Sequence, residues 1–113
     1  MSDLLRRHVA AFNDRDVEAL LAGFTDDAVW ITGTTVARGR AELRDLFEGA
    51  VRQLLPTLTI ESVVAGGAMV AAELTERLTH DGEHRTFAIA GFYRLRDGRI
   101  AAAKIFREGR AEL

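Results

Sequence analysis

The sequence predicts a single α+β domain, in which a curved, mostly antiparallel sheet wraps around N-terminal helices. Three observations carry the prediction. Apolar residues recur at helical spacing through most of the first half of the chain. After Pro56, the only proline, the period changes to two and stays there. Gly66-Gly67, Asp81-Gly82 and Asp97-Gly98 then cut the second half into hairpin-length segments. Helices followed by a run of strands is the order of an α+β architecture with helices on one face of a sheet. A chain of 113 residues can build one real core and is too short for two, so one domain is expected over 1–113.

In chain order, Leu4, Leu5, His8, Val9 and Phe12 form one helical face with a histidine in its middle. Asn13-Asp14-Arg15-Asp16 breaks that pattern and supplies N-cap oxygens for a second helix, whose apolar residues are Val17, Leu20, Leu21 and Phe24. Gly23 marks the end of that helix. Phe24 to Thr32 reads as a hinge between two periodicities, with strand character from Val29 to Thr35 because β-branched and aromatic residues dominate there. Val36 to Gly39 is a turn or a short second strand. A third helix follows from about Arg40, with Leu43, Leu46, Phe47, Ala50, Val51 and Leu54 on one stripe, and Pro56 ends it. Strands are expected over 58–65, 69–79, 85–96 and 99–107.

Composition narrows the function classes. Net charge is −2, so there is no overall electrostatic drive toward nucleic acid or an anionic membrane, and neither is expected as a partner. Cysteine is absent, which removes disulfides, thiol nucleophiles and thiolate metal sites together. The longest apolar run, 63–72, is too short to span a bilayer and is split by Gly66-Gly67. A soluble cytoplasmic protein is the expectation. His80 and His84 beside Asp81 and Glu83 fall in a hairpin loop without metal-ligand spacing, so no metal and no cofactor is expected. The basic residues Arg94, Arg96, Arg99, Lys104, Arg107 and Arg110 interleave with Asp97, Glu108 and Glu112 and read as a solvated, salt-bridged face.

Two residues break the rules of the faces they occupy. In the strand from Met69, the even positions Val70, Ala72, Leu74 and Leu78 are apolar, and Glu76 shares their parity. Either Glu76 emerges into solvent or pairs with an arginine, or it is a carboxylate facing a pocket with a pKa raised by desolvation. His8 is either a satisfied core histidine or an acid–base group. Trp30 and Thr32 share one strand parity, so a pocket lined by Trp30 also receives the Thr32 hydroxyl. The strand from Arg85 is apolar on both parities: Phe87, Ile89, Gly91, Tyr93 and Leu95 on one, Ala88, Ala90 and Phe92 on the other. Three helices cover only one face, so a second subunit is expected over the other, in a two-fold dimer through the sheet.

The run Phe24-Thr25-Asp26-Asp27-Ala28-Val29-Trp30, then Arg38-Gly39-Arg40-Ala41-Glu42-Leu43, and later Gly91-Phe92-Tyr93-Arg94-Leu95-Arg96-Asp97-Gly98-Arg99-Ile100, resembles the nuclear-transport-factor-2-like superfamily. Within it the chain is most similar to SnoaL-like polyketide cyclases and ketosteroid-isomerase-like proteins, over nearly its whole length. The resemblance implies a cone-shaped, cystatin-like α+β roll with a ligand pocket at its open end. In ketosteroid isomerases the general base is an aspartate on the first strand, and that position is Thr32 here. The tyrosine and protonated aspartate of their oxyanion hole correspond to His8 and Gly91, so the usual steroid-isomerase mechanism is not expected. The aspartate–arginine–aspartate set of limonene-epoxide-hydrolase-like members corresponds to Glu76, Leu74 and Ile105, with one carboxylate kept and the arginine missing. The reading that follows is a small apolar ligand bound among Phe12, Phe24, Trp30, Thr32, Phe47, Phe87, Ile89 and Tyr93, with His8 and Glu76 as an acid–base pair for isomerase- or cyclase-type chemistry. The alternative is a non-catalytic dimeric module for ligand binding or protein association.

Overall fold

The computed structural model describes residues 2–108, the side chains of Ser2 and His80 aside. Arg110 and Glu112 of the expected basic face lie outside the described residues. Three helices, α1 (Ser2–Asn13), α2 (Val17–Ala22) and α3 (Gly39–Gln53), accompany six strands: β1 (Phe24–Thr32), β2 (Thr35–Arg38), β3 (Thr57–Gly66), β4 (Met69–His80), β5 (Glu83–Arg96) and β6 (Arg99–Glu108). The strands form one sheet in the order β2-β1-β6-β5-β4-β3. The architecture is α+β with a mostly antiparallel sheet, as the periodicities require. No helix among the described residues is long and apolar enough to cross a membrane.

Local chemistry explains most boundaries. Asp16 caps α2 by accepting a hydrogen bond from the Ala19 amide at 3.1 Å. Glu42 in the first turn of α3 reaches back to the Arg38 amide at 2.8 Å, which satisfies a donor that the helix leaves open. Asp81-Gly82 and Asp97-Gly98 all take positive φ, the pairing of a two-residue hairpin turn whose twist matches the strands it joins.

Two departures from the sequence expectation matter. First, β1 begins at Phe24 rather than Val29. Phe24 pairs with Ile100 and pairing resumes only at Val29 with Ala102, so the strand bulges where Asp26 and Asp27 face solvent. Alternation cannot register a strand whose middle is bulged. Surface ion pairs hold the bulge instead: Arg40 to Asp26 at 3.1 Å and Arg96 to Asp27 at 2.5 Å. Second, β1 runs parallel to β6, the one parallel pair in the sheet. Hairpin turns dictate only sequence neighbours, and this pairing joins opposite ends of the chain.

The core lies between the helices and the inner face of the sheet, where Phe24, Leu43, Phe47 and Leu74 are fully buried. The helices cover that face alone. On the other, Phe92 and Phe106 meet edge to face with ring centroids 5.9 Å apart, and both are about half exposed. The end of α1 is tied to β3 by Asn13. Its amide accepts from the Leu58 N–H at 2.7 Å and donates to the Leu58 carbonyl at 3.0 Å, as a neighbouring strand would. Arg15, at positive φ, donates to the carbonyls of Phe12 and Pro56 across the same junction. This clamp sets the height of α1 above the sheet, and with it the space beneath His8.

Candidate functional site

A cavity of about 80 Å³ lies under α1 and the C-terminal end of α3, against the inner face of β4, β5 and β6. Strand parity accounts for its walls. Trp30 pairs with Ala103 and Thr32 with Ile105, so both β1 side chains point inward. Leu74 pairs with Ile89 and Glu76 with Phe87, which puts the Glu76 carboxylate on the core face. Pro56 and Leu58, beyond α3, close one end.

His8 enters this cavity from the middle of the α1 face. It is 6 % exposed and ringed by four aromatic side chains, with centroid distances of 5.6 Å to Phe24, 5.8 Å to Trp30 and 6.0 Å to both Phe12 and Tyr93. Its Nδ1 is buried without a hydrogen-bond partner. Burial alone lowers the imidazole pKa to about 4, because an imidazolium here would lose its hydration and gain no counter-charge. The ring is therefore neutral at physiological pH.

Glu76 is 5 % exposed. Burial raises its carboxyl pKa, and the Arg107 guanidinium opposes that rise. Arg107 Nη2 stands 2.7 Å from Glu76 Oε1, so the two side chains are ion-paired. Arg107 also lies over the Phe87 ring, 5.4 Å from its centroid, and its side chain remains 41 % exposed at the cavity edge. The two sequence readings of Glu76 thus coexist, since it pairs with an arginine and it faces a cavity. Sequence reasoning assigned Arg107 to a solvated face. Its parity with Ala103 and Ile105 was the signal for the inner face, and the register of Ile89 with Arg107 carries it out.

Tyr93 also borders the cavity, and burial pushes its phenol pKa upward. Gly91 makes room for that ring. A Cβ at Gly91 would stand 2.5 Å from the Tyr93 hydroxyl and 2.7 Å from its ring, so the phenol occupies the space that any larger residue at Gly91 would claim.

Of the residues expected to contact a ligand, Phe12, Trp30, Thr32, Ile89 and Tyr93 border the cavity together with His8 and Glu76. Phe24 and Phe47 pack behind it, fully buried with ring centroids 5.5 Å apart, and Phe87 lies beneath Arg107. In the positions that correspond to the epoxide-hydrolase set, Leu74 and Ile105 are aliphatic cavity walls. The His84 ring in the β4–β5 hairpin contacts the Thr79 hydroxyl at 3.1 Å.

Comparison with known proteins agrees with the fold. The enzyme SalBIII, described as epoxide hydrolase/cyclase-like with a role in pyran ring formation in the polyether salinomycin, superposes with a TM-score of 0.88 at 23 % identity, covering 95 % of this chain and 89 % of its own. An LEH-like epoxide hydrolase from M. tuberculosis superposes at 0.84 with 23 % identity, covering 93 % and 80 %. An NTF2-like protein of unknown function from Burkholderia pseudomallei superposes at 0.86 with 18 % identity, covering 94 % and 88 %. At these identities the likeness is one of fold. None of the curated proteins matches the chain in sequence. The family model of the SnoaL-like domain matches residues 5–103, nearly the whole described fold, and the chain belongs to the SnoaL-like domain family.

Proposed function

We propose that this protein binds a small, largely apolar molecule in the inner cavity and moves a proton next to a carbonyl group, as isomerases and cyclases do. One observation carries the reading: a single cavity is bordered by two buried titratable side chains, His8 with its Nδ1 unpartnered and Glu76 ion-paired to Arg107 at the cavity edge. In this reading the Glu76 carboxylate takes a proton from the carbon beside the carbonyl. An orphaned N–H is rarer in folded proteins than a bare acceptor, so the His8 proton is assigned to Nε2 with Nδ1 left as the bare acceptor. Nε2–H then supports the negative charge that develops on the substrate oxygen. Return of the proton from Glu76 to a different carbon completes an isomerisation; attack of the enolate carbon on a second carbonyl, with the proton on Glu76 passing to the alkoxide that forms, completes a cyclisation. Thr32 or Tyr93 would orient the ligand. Arg107 opposes the effect of burial and helps keep Glu76 ionised.

The proposed assembly is a two-fold dimer through the outer sheet face, supported by the uncovered Phe92 and Phe106. The proposed setting is the cytoplasm, which rests on the sequence expectation. A second reading, a non-catalytic dimeric module for ligand binding or protein association, is favoured by the cavity volume. About 80 Å³ is well below the roughly 300 Å³ at which small-molecule sites begin.

A generic probe separates the two. Deuterium uptake at the α-carbons of cyclopentanone in heavy water, followed by proton NMR, is expected to be faster with the protein than in buffer. Glu76→Gln should lose about 10²-fold or more of the enhancement, and His8→Phe should lose part of it. No enhancement by the native protein, or full activity in Glu76→Gln, would sink the catalytic reading and leave the binding module.

A further inference from the structure

A concavity larger than the inner cavity lies on the outside. A groove of about 540 Å³ runs between α1, α2 and the β5–β6 turn, and it shares only His8 with the inner cavity. Its volume falls within the range of small-molecule sites, which the inner cavity does not reach. Its floor is apolar, with Ala19 and Leu20 of α2 among the residues that form it. The rim is charged, and the charges are segregated along α1. Arg7 borders the groove toward one end with Arg99 of the β5–β6 turn also on the rim, and Asp14, beyond the end of α1, borders it with Asp16. Asp14 lies seven positions after Arg7, roughly 10 Å at the helical rise. Among the described residues neither Arg7 nor Arg99 has an ion-pair partner. His8, whose imidazole is almost wholly buried with Nδ1 unpartnered, is the one residue that borders both groove and cavity.

We propose that this groove is a second binding site, for a small amphipathic molecule that carries a carboxylate at one end and an amine about 10 Å away. The carboxylate meets Arg7 and Arg99, the apolar body covers the exposed Ala10 and Ala19, and the amine meets Asp14 and Asp16. An occupant of the groove lies against α1, the helix that carries His8 over the inner cavity. The site does not depend on proton-transfer chemistry inside.

The test uses three probes of similar length, ω-aminooctanoate, octanoate and octanol, titrated into the native protein by calorimetry and by NMR of the α1 and α2 backbone amides. Affinity is expected to fall in that order. Replacing both Arg7→Gln and Arg99→Gln should weaken the two carboxylates by about tenfold or more and leave octanol unchanged. Ala19→Trp, on an exposed position of α2, should abolish binding of all three, and the milder Ala19→Met should weaken it. Circular dichroism shows whether each variant keeps the fold. Ala50→Phe fills the inner cavity and should leave groove binding intact. Equal affinity for the three probes, no measurable binding at millimolar concentration, or binding that survives Ala19→Trp but not Ala50→Phe would overturn the proposal.

Discussion

At the residue scale, His8 and Glu76 have opposite effects on stability as pH changes. The folded-state pKa of His8 is depressed to about 4, against about 6.5 in an unfolded chain. Between those values the unfolded state binds the extra proton. The stability that goes with a neutral His8 is therefore complete above pH 6.5 and is lost as pH falls toward 4, about 3 kcal/mol in all. His8→Leu is expected to flatten the urea-unfolding midpoint across that window. Asp27 and Glu18, whose pKa values their arginine partners lower, lose their contributions only as pH falls through and below the ordinary carboxylate range and do not mask the effect. An unchanged acid slope in His8→Leu would refute the buried neutral ring. Glu76 works the other way. Its raised folded pKa makes its contribution favourable below the unfolded value, and that contribution is lost as pH rises through the folded one. Glu76→Gln should accordingly melt a few degrees higher than the native protein at pH 8, with the gain vanishing near pH 4. Greater stability combined with lost function is the pattern expected of a buried charge kept for its chemistry.

At the scale of elements, the Asn13 clamp is what holds α1 over the sheet. Asn13→Ala removes two hydrogen bonds and leaves the polar groups of Leu58 to find other partners, a loss of about 1–3 kcal/mol by thermal or urea unfolding. Pro56 and Leu58 form one end of the inner cavity, so the same substitution should speed amide exchange at Leu58 and loosen the cavity. Exchange at Leu58 as slow as in the native protein would show that α1 is held by packing alone. Helices α1, α2 and α3 and the hairpin strands were legible in the sequence because their periodicity and turn chemistry are local. The stripe that includes Leu43, Phe47 and Ala50 and the two Asp-Gly turns each need only a few neighbouring residues to declare themselves. The start of β1 was not legible, since Asp26 and Asp27 hide the strand in a bulge whose ion pairs come from α3 and β5.

At the scale of the whole molecule, the outer face of the sheet presents Phe92 and Phe106 side by side, with the Lys104 ammonium 5.3 Å from the Phe106 ring. The proposed dimer buries this patch. Analytical ultracentrifugation at micromolar concentration should then show a two-fold assembly, and replacing Phe92→Glu and Phe106→Glu together should convert it to monomer. A native protein that sediments as a monomer removes the dimer. The sequence by itself determined the α+β class, the placement of the helices and of the hairpin strands, and the shared parity of Trp30 with Thr32 and of Glu76 with Leu74 and Leu78, because these follow from periods and turns within short stretches of chain. Only the tertiary structure decided that β1 runs parallel to β6, that Arg107 reaches Glu76 from another strand, and that the inner cavity holds about 80 Å³ while the outer groove holds about 540 Å³. These depend on which distant strands become neighbours and on how much space side chains such as Tyr93 over Gly91 leave between them, and no local pattern encodes either.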